Sequence, residues 1–410
     1  MRILVITQYF YPETFRINDI VKELVARGNS VTVVTGLPNY PEGKIYDSYE
    51  SAYKEPAYYF GAEVVRCKLR PRKKGSLNLA LNYLSFVRQT NKVLKKIKPD
   101  YDVIYFYEPS PITSGFPALK YGKKHHIPTA IYNLDIWPDS VRDNKNGKAM
   151  SQKNPIYLIA RSLSKKVYNG FDLIINKCDE FGDYLNKTFS IEAKKMITIF
   201  EHAEDSYLSV GLEPTNNGII DFVFLGNIGK IQNCDLVVKA FSKVKSDNIL
   251  LHFVGDGSYL KELKVLVSEL NLEDKVIFHG RHSLDEIKKF YEFADVCILS
   301  LSNKTATGIT PPGKLASYMA AGRPIIGAID GSSQSIVDKA KCGFLVGSND
   351  FEGLAKLMQN IVDNPNVLLG LGLNGRYFFL KHMTLKSHVD SVEKALLVLQ
   401  KKHSNESIDN

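Results

Sequence analysis

Residues 311–324 read Pro-Pro-Gly-Lys-Leu-Ala-Ser-Tyr-Met-Ala-Ala-Gly-Arg-Pro and run into apolar Ile325, Ile326 and Gly327. Two prolines and a glycine suit the loop before a helix, and Gly322 with Pro324 suits its end. A helix start is an anion site, because free N–H groups and the dipole both favour negative charge. Lys314 puts a cation at that same end, where the dipole disfavours it. A bound phosphate accounts for that lysine better than helix stability does. The spacing therefore predicts anion contacts from Gly313, Lys314, Leu315 and Ser317.

Residues 222–230 predict a strand, a glycine turn and the approach to a helix, with Gly226, Asn227 and Lys230 at the turn. Such a turn accepts phosphate, although it lacks the G-x-G-x-x-G dinucleotide pattern. A tight turn without ligand is the alternative. Residues 254–257 and 278–282 each end a strand, and Arg281 there is either a ligand contact or a surface arginine. Between 301 and 312 lie Lys304, Thr305, Thr307, Gly308 and Thr310, small polar residues that let a ligand approach the backbone.

Ligands of open parallel sheets gather where strands end. In the first half, 9–18 follows a strand and holds Arg16 and Asn18; Arg16 meets either a phosphate or Glu13. Glu108 and Asp135 end two further strands and bring carboxylates to one sheet edge. Trp137, the single tryptophan, is either a platform for a sugar ring or core. The one D-x-D, Asp100-Tyr101-Asp102, precedes a strand and so falls at the edge away from this chemistry.

These residues need a scaffold. Strand-like runs at 3–7, 31–35, 64–67, 103–107, 129–133, 173–176 and 197–200 alternate with helical patterns such as 17–27. A second series follows at 220–225, 249–254, 276–279, 296–299, 325–328 and 344–346, with helices at 234–244, 259–270 and 284–293. Continuous apolar strands alternating with helices mean parallel sheets covered on both faces. The chain has 410 residues and is 44% hydrophobic, enough for two domains with full cores. The expected division is a first domain at 1–205, a second at 206–380, and a closing helix in 381–410 whose tail frays from 403. Five scattered cysteines without C-x-x-C spacing point to reduced thiols rather than disulfides or zinc. The opening apolar run is too short for a signal segment or a membrane span and reads as a first buried strand.

The net charge of +9 is uneven. Between Glu63 and Asp100 stand eleven basic residues and no acid, among them Arg66, Arg70, Arg72, Lys73 and Lys74, interleaved with leucines and Phe86. Either a solvated helix face or an anionic membrane surface answers to this. No nucleic-acid motif accompanies the tract, so no nucleic-acid partner is expected.

The 311–324 segment resembles the donor motif Pro-x-Lys-x-x-Glu-x-Met-Ala-x-Gly-x-Pro of family 4 glycosyltransferases. That resemblance implies the GT-B fold: two Rossmann-like, doubly wound α/β domains facing across a cleft. It implies that Lys314 contacts the donor diphosphate. The family's ribose-binding glutamate is Ser317 here, and the first glutamate of its E-x7-E pair is Ile309. The string from Asp135 through Trp137-Pro138-Asp139-Ser140, with Phe15-Arg16-Ile17-Asn18 and 36–41, resembles the WbuB-like branch, which transfers N-acetyl-L-fucosamine in bacterial surface-polysaccharide synthesis. The resemblance spans nearly the whole chain.

The expected function is transfer of a sugar from UDP to a polyprenyl-diphosphate-linked sugar, in capsule or O-antigen synthesis. No metal cofactor is expected, and the place is the inner face of the cell membrane, held peripherally. Lys314 would stabilise the departing diphosphate, and domain closure would exclude water. Family 4 implies retention; were the reaction inverting, Asp135 or Glu108 would be its base. Two rivals remain. A GT-B nucleotide-sugar 2-epimerase has no use for a basic membrane face. An inactive glycosyltransferase-like subunit would explain Ile309 and Ser317 but not Lys314 with the two carboxylates.

Overall fold

The computed structural model describes residues 1–72, 75–108, 110–141, 150–214, 217–302 and 310–406. They form two compact units, Met1–Phe200 with Leu385–Asn410, and Glu201–Thr384. Lys73, Lys74, Lys304, Thr305, Thr307, Gly308 and Ile309 lie outside the described residues.

The first unit is built on β1 (Arg2–Ile6), β2 (Ser30–Gly36), β3 (Ala57–Tyr59), β4 (Ala62–Cys67), β5 (Val103–Glu108), β6 (Thr129–Asn133), β7 (Leu173–Asn176) and β8 (Met196–Thr198). Their order in the sheet is β3-β4-β2-β1-β5-β6-β7-β8, parallel except for the β3–β4 hairpin. Helices α1 (Ile17–Ala26), α2 (Ser76–Leu94), α3 (Phe116–His125), α4 (Pro155–Gly170) and α5 (Asp179–Phe189) connect them. Adjacent residues of one strand feed opposite cores. Ile3, Val5, Val33 and Tyr105 meet Ile17, Val21 and Leu24 of α1 on one face. Leu4, Ile6, Phe106 and Ile131 meet Phe86 of α2, Tyr168 of α4 and Leu185 of α5 on the other.

The second unit holds β9 (Ile220–Leu225), β10 (Ile249–Val254), β11 (Val276–Gly280), β12 (Val296–Ser300), β13 (Ile325–Ala328) and β14 (Gly343–Val346), in the order β11-β10-β9-β12-β13-β14 and all parallel. Helices α6 (Cys234–Phe241), α7 (Leu260–Glu269), α8 (Leu284–Phe293), α9 (Lys314–Ala320), α10 (Ser332–Ala340), α11 (Phe351–Asp363) and α12 (Leu371–His382) complete it. The last helix, α13 (Leu385–Glu406), belongs to the first unit and packs on α1, where Arg27 pairs with Glu23, Asp390 and Glu393. The α/β architecture with two parallel sheets is as expected. Two details differ. The edge hairpin formed by β3 was not foreseen, and the final helix continues to Glu406 rather than fraying from 403.

Each sheet has one point where strand order reverses, between β1 and β5 in the first unit and between β9 and β12 in the second. Loops leaving the strands there diverge and open a crevice. All five cysteines are buried and free. Burial pushes the Cys67, Cys234 and Cys342 thiols up to about 12.

Two arginines fasten the start of the second unit to its core. Arg323, almost fully buried, donates to the carbonyls of Leu212 (2.8 Å) and Gly211 (2.7 Å). Arg376 donates to those of Val210 (2.8 Å) and Ala320 (3.1 Å). Charged donors to buried carbonyls are the stronger hydrogen bonds, and removing them strands the acceptors. Arg323→Met is expected to lower stability by about 2–4 kcal/mol on that basis. Denaturant titration of the variant checks this, and a midpoint equal to wild type would show that the clamp is idle.

Candidate functional site

The second unit's crevice lies where β9 and β10 end. Gly226 holds φ +129° and Gly255 φ +147°, both in the region that L side chains avoid. A Cβ on Gly255 would sit 1.9 Å from the Gly226 carbonyl oxygen, so the two loops touch only because both are glycines. Beside them opens a cavity of about 480 Å³, lined by Gly226, Asn227, Gly255, Asp256, Arg281 and His282 among others. That volume is in the range of small-molecule sites.

Lys314 begins α9 and reaches toward the same glycine. A Cβ on Gly226 would lie 3.3 Å from its Nζ. The ammonium rests over the Phe224 ring, 3.6 Å from the centroid. Nζ is shielded from solvent and, among the described residues, has no hydrogen-bond partner. Removing an ammonium from water without an anion favours its neutral form, and burial pulls Lys314 down to about 8. The Tyr318 hydroxyl fixes α9 against the sheet, accepting from the Leu225 N–H at 3.1 Å and lying 3.2 Å from the Ile298 carbonyl. The charge is thus held in place by packing rather than by a counter-ion.

Of the residues expected on the donor side, the structure brings together Gly226, Asn227, Arg281 and Lys314. Lys230 is exposed on a 3-10 turn and is not in the cavity lining. Its expected role in supplying charge is not supported, and Gln232 occupies the turn by accepting from the Gly229 N–H and the Asn227 amide. Gly313 is exposed and Thr310 half-buried just before α9. Leu315 is a correction: its side chain is buried and its N–H is taken by the Pro312 carbonyl at 3.0 Å. Ser317 is half-buried, and its Oγ lies 3.5 Å from Glu204 Oε2. Glu204 was missed, since no motif marks it.

In the first unit, a row of polar side chains crosses the sheet at its C-terminal edge. Glu108, Asn133 and Asn176 are in register on β5, β6 and β7. Asn133 donates to Asn176 Oδ1 at 3.1 Å, and the Tyr168 hydroxyl lies 3.3 Å from Asn133 Oδ1. Asp135 follows two residues after β6 and Lys177 one residue after β7. Glu108 is fully buried, and its oxygens have no hydrogen-bond partner among the described residues. The N–H groups of Asp135 and Leu134 face it without meeting hydrogen-bond geometry. Burial first, then the charge of Asp135, pushes the Glu108 carboxyl well above the usual carboxylate range, with Lys177 opposing. Asp135 is also raised by burial, offset by Lys177 and by the Ile136 N–H at 2.9 Å. Like charges in one desolvated site cannot both persist, so Glu108 keeps the proton. Lys177 was another residue the sequence did not flag.

Trp137 takes the core role of the two offered for it. Its ring packs at the margin of the core while Nε1 donates to Ser110 Oγ at 3.2 Å. Ser110 holds φ +100°, a strained conformation that its surroundings must enforce. Asn18 is a correction: it is buried, accepts from the Tyr11 N–H and donates to the Glu13 carbonyl, so its amide braces that turn. Arg16 stands at the N-cap position of α1 without a side-chain capping bond. Glu13 Oε1 accepts the N–H groups of Asn39 and Tyr40. Asp100 and Asp102 both pair with Arg2.

The basic tract divides. Arg66 is buried, donating to the Gly36 and Tyr11 carbonyls. Arg70 is exposed on Asn78, and Arg72 is half-buried over the Tyr40 ring. Leu77, Ala80, Leu84, Arg88, Lys92 and Lys95 share the exposed face of α2. Beside it, across the 112–115 turn that both helices touch, α4 exposes Ile156, Leu158, Ile159, Arg161 and Lys165. Leu77 is 73% and Ile159 61% exposed, unusual for such side chains. Among the described residues no helix is long and apolar enough to cross a membrane, and no cluster of three metal-ligating side chains occurs.

Two family models cover most of the chain: "Glycosyltransferase Family 4" over residues 15–200 and "Glycosyl transferases group 1" over 213–377. The chain is 24% identical over 342 residues to a protein named for colanic acid biosynthesis, the glycosyl transferase WcaI of Escherichia coli, covering 78% of this chain and 82% of that one. It is 27% identical over 155 residues to the N-acetyl-alpha-D-glucosaminyl L-malate synthase of Bacillus anthracis, an alignment that spans 38% of this chain and only 39% of that protein's length. Among solved structures, HepE of Anabaena in complex with UDP matches with a TM-score of 0.70 at 15% identity, over 97% of this chain and all of that one. WaaG, a glycosyltransferase of lipopolysaccharide biosynthesis, matches with a TM-score of 0.65 at 12% identity, over 97% and 99%.

A diphosphate beside Lys314 favours its charged form, so binding takes up a proton wherever the free lysine is neutral. With a free value of about 8, affinity should be nearly level below pH 7 and fall as pH rises through 8. UDP, used as the probe, is expected to bind about tenfold more weakly at pH 9 than at pH 7. Lys314→Met should bind UDP weakly with no such slope. Calorimetry across that range decides it; a wild-type slope retained in the variant would assign the titration elsewhere.

Proposed function

We propose that this chain, which belongs to the family 4 glycosyltransferases and has their GT-B fold, moves a sugar from UDP to a polyprenyl-diphosphate-linked sugar in bacterial surface-polysaccharide synthesis. The observation that carries the donor half is the Lys314 ammonium, buried beside the Gly226 turn with no hydrogen-bond partner among the described residues. A cation so placed stabilises the negative charge that grows on a departing diphosphate, and it needs no reorganisation to do so. Arg281, across the same cavity, serves the nucleobase. Glu204 supplies at Ser317 the carboxylate that the family motif carries in the 317 position, and takes the ribose hydroxyls. The favoured sugar, N-acetyl-L-fucosamine, is supported by the motif resemblance around Asp135 and Trp137.

The acceptor half rests on the first unit's polar edge. Glu108 holds a proton while Asp135, already accepting the Ile136 N–H, is the carboxylate that receives the acceptor hydroxyl. Trp137, anchored through Ser110, offers its ring face to a pyranose. If transfer proceeds with retention, Asp135 orients the hydroxyl; if with inversion, it removes the proton. Neither route assigns a metal ion a role, and positive charge comes from side chains.

The membrane surface reads as the outer faces of α2 and α4. In a parallel sheet the connecting helices run back against the strands, so both N-terminal ends sit at the strands' C-terminal edge, beside Glu108 and Asp135. Those ends carry Leu77, Leu84, Ile156 and Ile159, with Arg88, Lys92, Lys95, Arg161 and Lys165 farther along. Apolar tips with a basic collar suit an anionic lipid interface. The protein would therefore work on the inner face of the cell membrane, where lipid-linked acceptors are presented.

A donor panel with a lipid-diphosphate monosaccharide, read by mass and anomeric NMR, tests the reaction. Asp135→Asn is expected to lower kcat about 10²–10⁴-fold if it is a base, or to raise the acceptor KM with a smaller kcat loss if it orients. Unchanged kinetics in a folded variant would remove Asp135 from the chemistry. Separately, the protein should cosediment with phosphatidylglycerol vesicles in a partly salt-sensitive manner. Each basic residue near such a surface contributes on the order of 1 kcal/mol. Combined Arg88→Gln, Lys92→Gln and Lys95→Gln should abolish the salt-sensitive part, and Leu84→Ser with Ile159→Ser the remainder. Variants that sediment like wild type would leave these helices merely solvated.

A further inference from the structure

We propose that Arg72 binds the diphosphate group of the acceptor, an inference that rests on the lipid-diphosphate reading above and gives it a residue. Five other arginines in this chain have committed forks. Arg2 and Arg27 pair with carboxylates. Arg66, Arg323 and Arg376 are spent on backbone carbonyls. Among the described residues, the Arg72 guanidinium meets no carboxylate. Its backbone N–H is fixed by Asn39 Oδ1 at 2.8 Å, and its Cζ lies 5.4 Å from the centre of the Tyr40 ring. Stacking of that kind orients the guanidinium; the Tyr9 hydroxyl takes one of its N–H donors, and the others are left for a planar, bidentate anion.

Its surroundings are assembled from three directions. Tyr9 follows β1, is nearly fully buried, and stacks on Phe15 with ring centres 5.1 Å apart. Tyr40 tilts against both at 5.6 and 5.5 Å. Gln8 Nε2 lies 3.3 Å from the Tyr9 hydroxyl and donates to Asn82 of α2 at 2.7 Å. The Arg72 charge acts on the hydroxyls of Tyr9 and Tyr83. Tyr83 in turn senses Asp135 and Glu108 and bonds Ser110, the residue that anchors Trp137. Tyr83 is thus within electrostatic reach of Arg72, Asp135 and Glu108 alike. A sugar beside Asp135 with its anomeric diphosphate on Arg72 would use both groups. A phospholipid headgroup offers the same phosphate chemistry, but the α2 face that would meet a bilayer carries its own cations at Arg88, Lys92 and Lys95. Arg72 instead lies among Tyr9, Tyr40 and Tyr83.

Trp137 is the single tryptophan, so its fluorescence reports on this site alone. The protein is first saturated with UDP to fill any donor-side diphosphate site, then titrated with farnesyl diphosphate below its aggregation threshold. A saturable change in Trp137 emission is expected, absent with farnesol. Arg72→Gln should raise the midpoint about tenfold or more, the loss of one charge-assisted pair, and Arg72→Lys should raise it less. Cosedimentation with phosphatidylglycerol vesicles should be the same for wild type and Arg72→Gln, and both variants should melt like wild type. Equal midpoints in wild type and Arg72→Gln overturn the assignment while leaving the acceptor class intact. Release from vesicles at an unchanged midpoint makes Arg72 a lipid contact and overturns it too. No response from wild type removes the diphosphate acceptor itself, and this role for Arg72 with it.

Discussion

One unbalanced charge organises the second unit. Burying an ammonium costs several kcal/mol unless an anion or hydrogen bonds offset it. Among the described residues, the Lys314 Nζ has no hydrogen-bond partner and rests on the Phe224 ring. A protein tolerates such a group when the rest of the fold forces it, and here the forcing is visible. Tyr318 ties α9 to the ends of β9 and β12, Leu315 and Met319 fill the core beneath, and two glycines let the loops close around the amine. An anion bound there would relieve this cost, and the fold's own stability would then be coupled to occupancy of the site.

The first unit solves the opposite problem. Two carboxyl groups share a desolvated edge with one nearby ammonium, Lys177. A single proton on Glu108 brings that trio close to neutrality. The register of β5, β6 and β7 fixes the arrangement, because a one-residue slip would turn Glu108 to the opposite face. Chemistry and strand pairing are thus the same constraint at this edge.

Much of the scaffold was legible in the sequence because its strands are continuous apolar runs buried on both faces. Residues 129–133, 220–225 and 249–254 form strands with the limits the pattern implied. The β3 edge escaped notice because three residues on an outer hairpin carry no such run. The terminal helix outlasted its apolar pattern because Lys, Gln and Glu sustain helix without packing. The expected residues that gather at the candidate site, Lys314, Gly226 and Arg281, were legible where motif and position coincided. Asn18 and Leu315 misled because a sequence does not show which polar group has already found its partner. Lys177 and Glu204 were invisible for a related reason: each is an isolated charged residue whose neighbours are distant in sequence.

The buried thiols bear on how this protein can be handled. Thiolate is the reactive form of cysteine, and both access and ionisation control it. All five sulfurs are enclosed, and the high values at Cys67, Cys234 and Cys342 leave almost no thiolate at neutral pH. The native chain is therefore a chemically silent background toward maleimides and mild oxidants. A single cysteine introduced on an exposed position would be the sole handle for a spectroscopic label, with no need to strip out the natural ones and disturb the cores they fill.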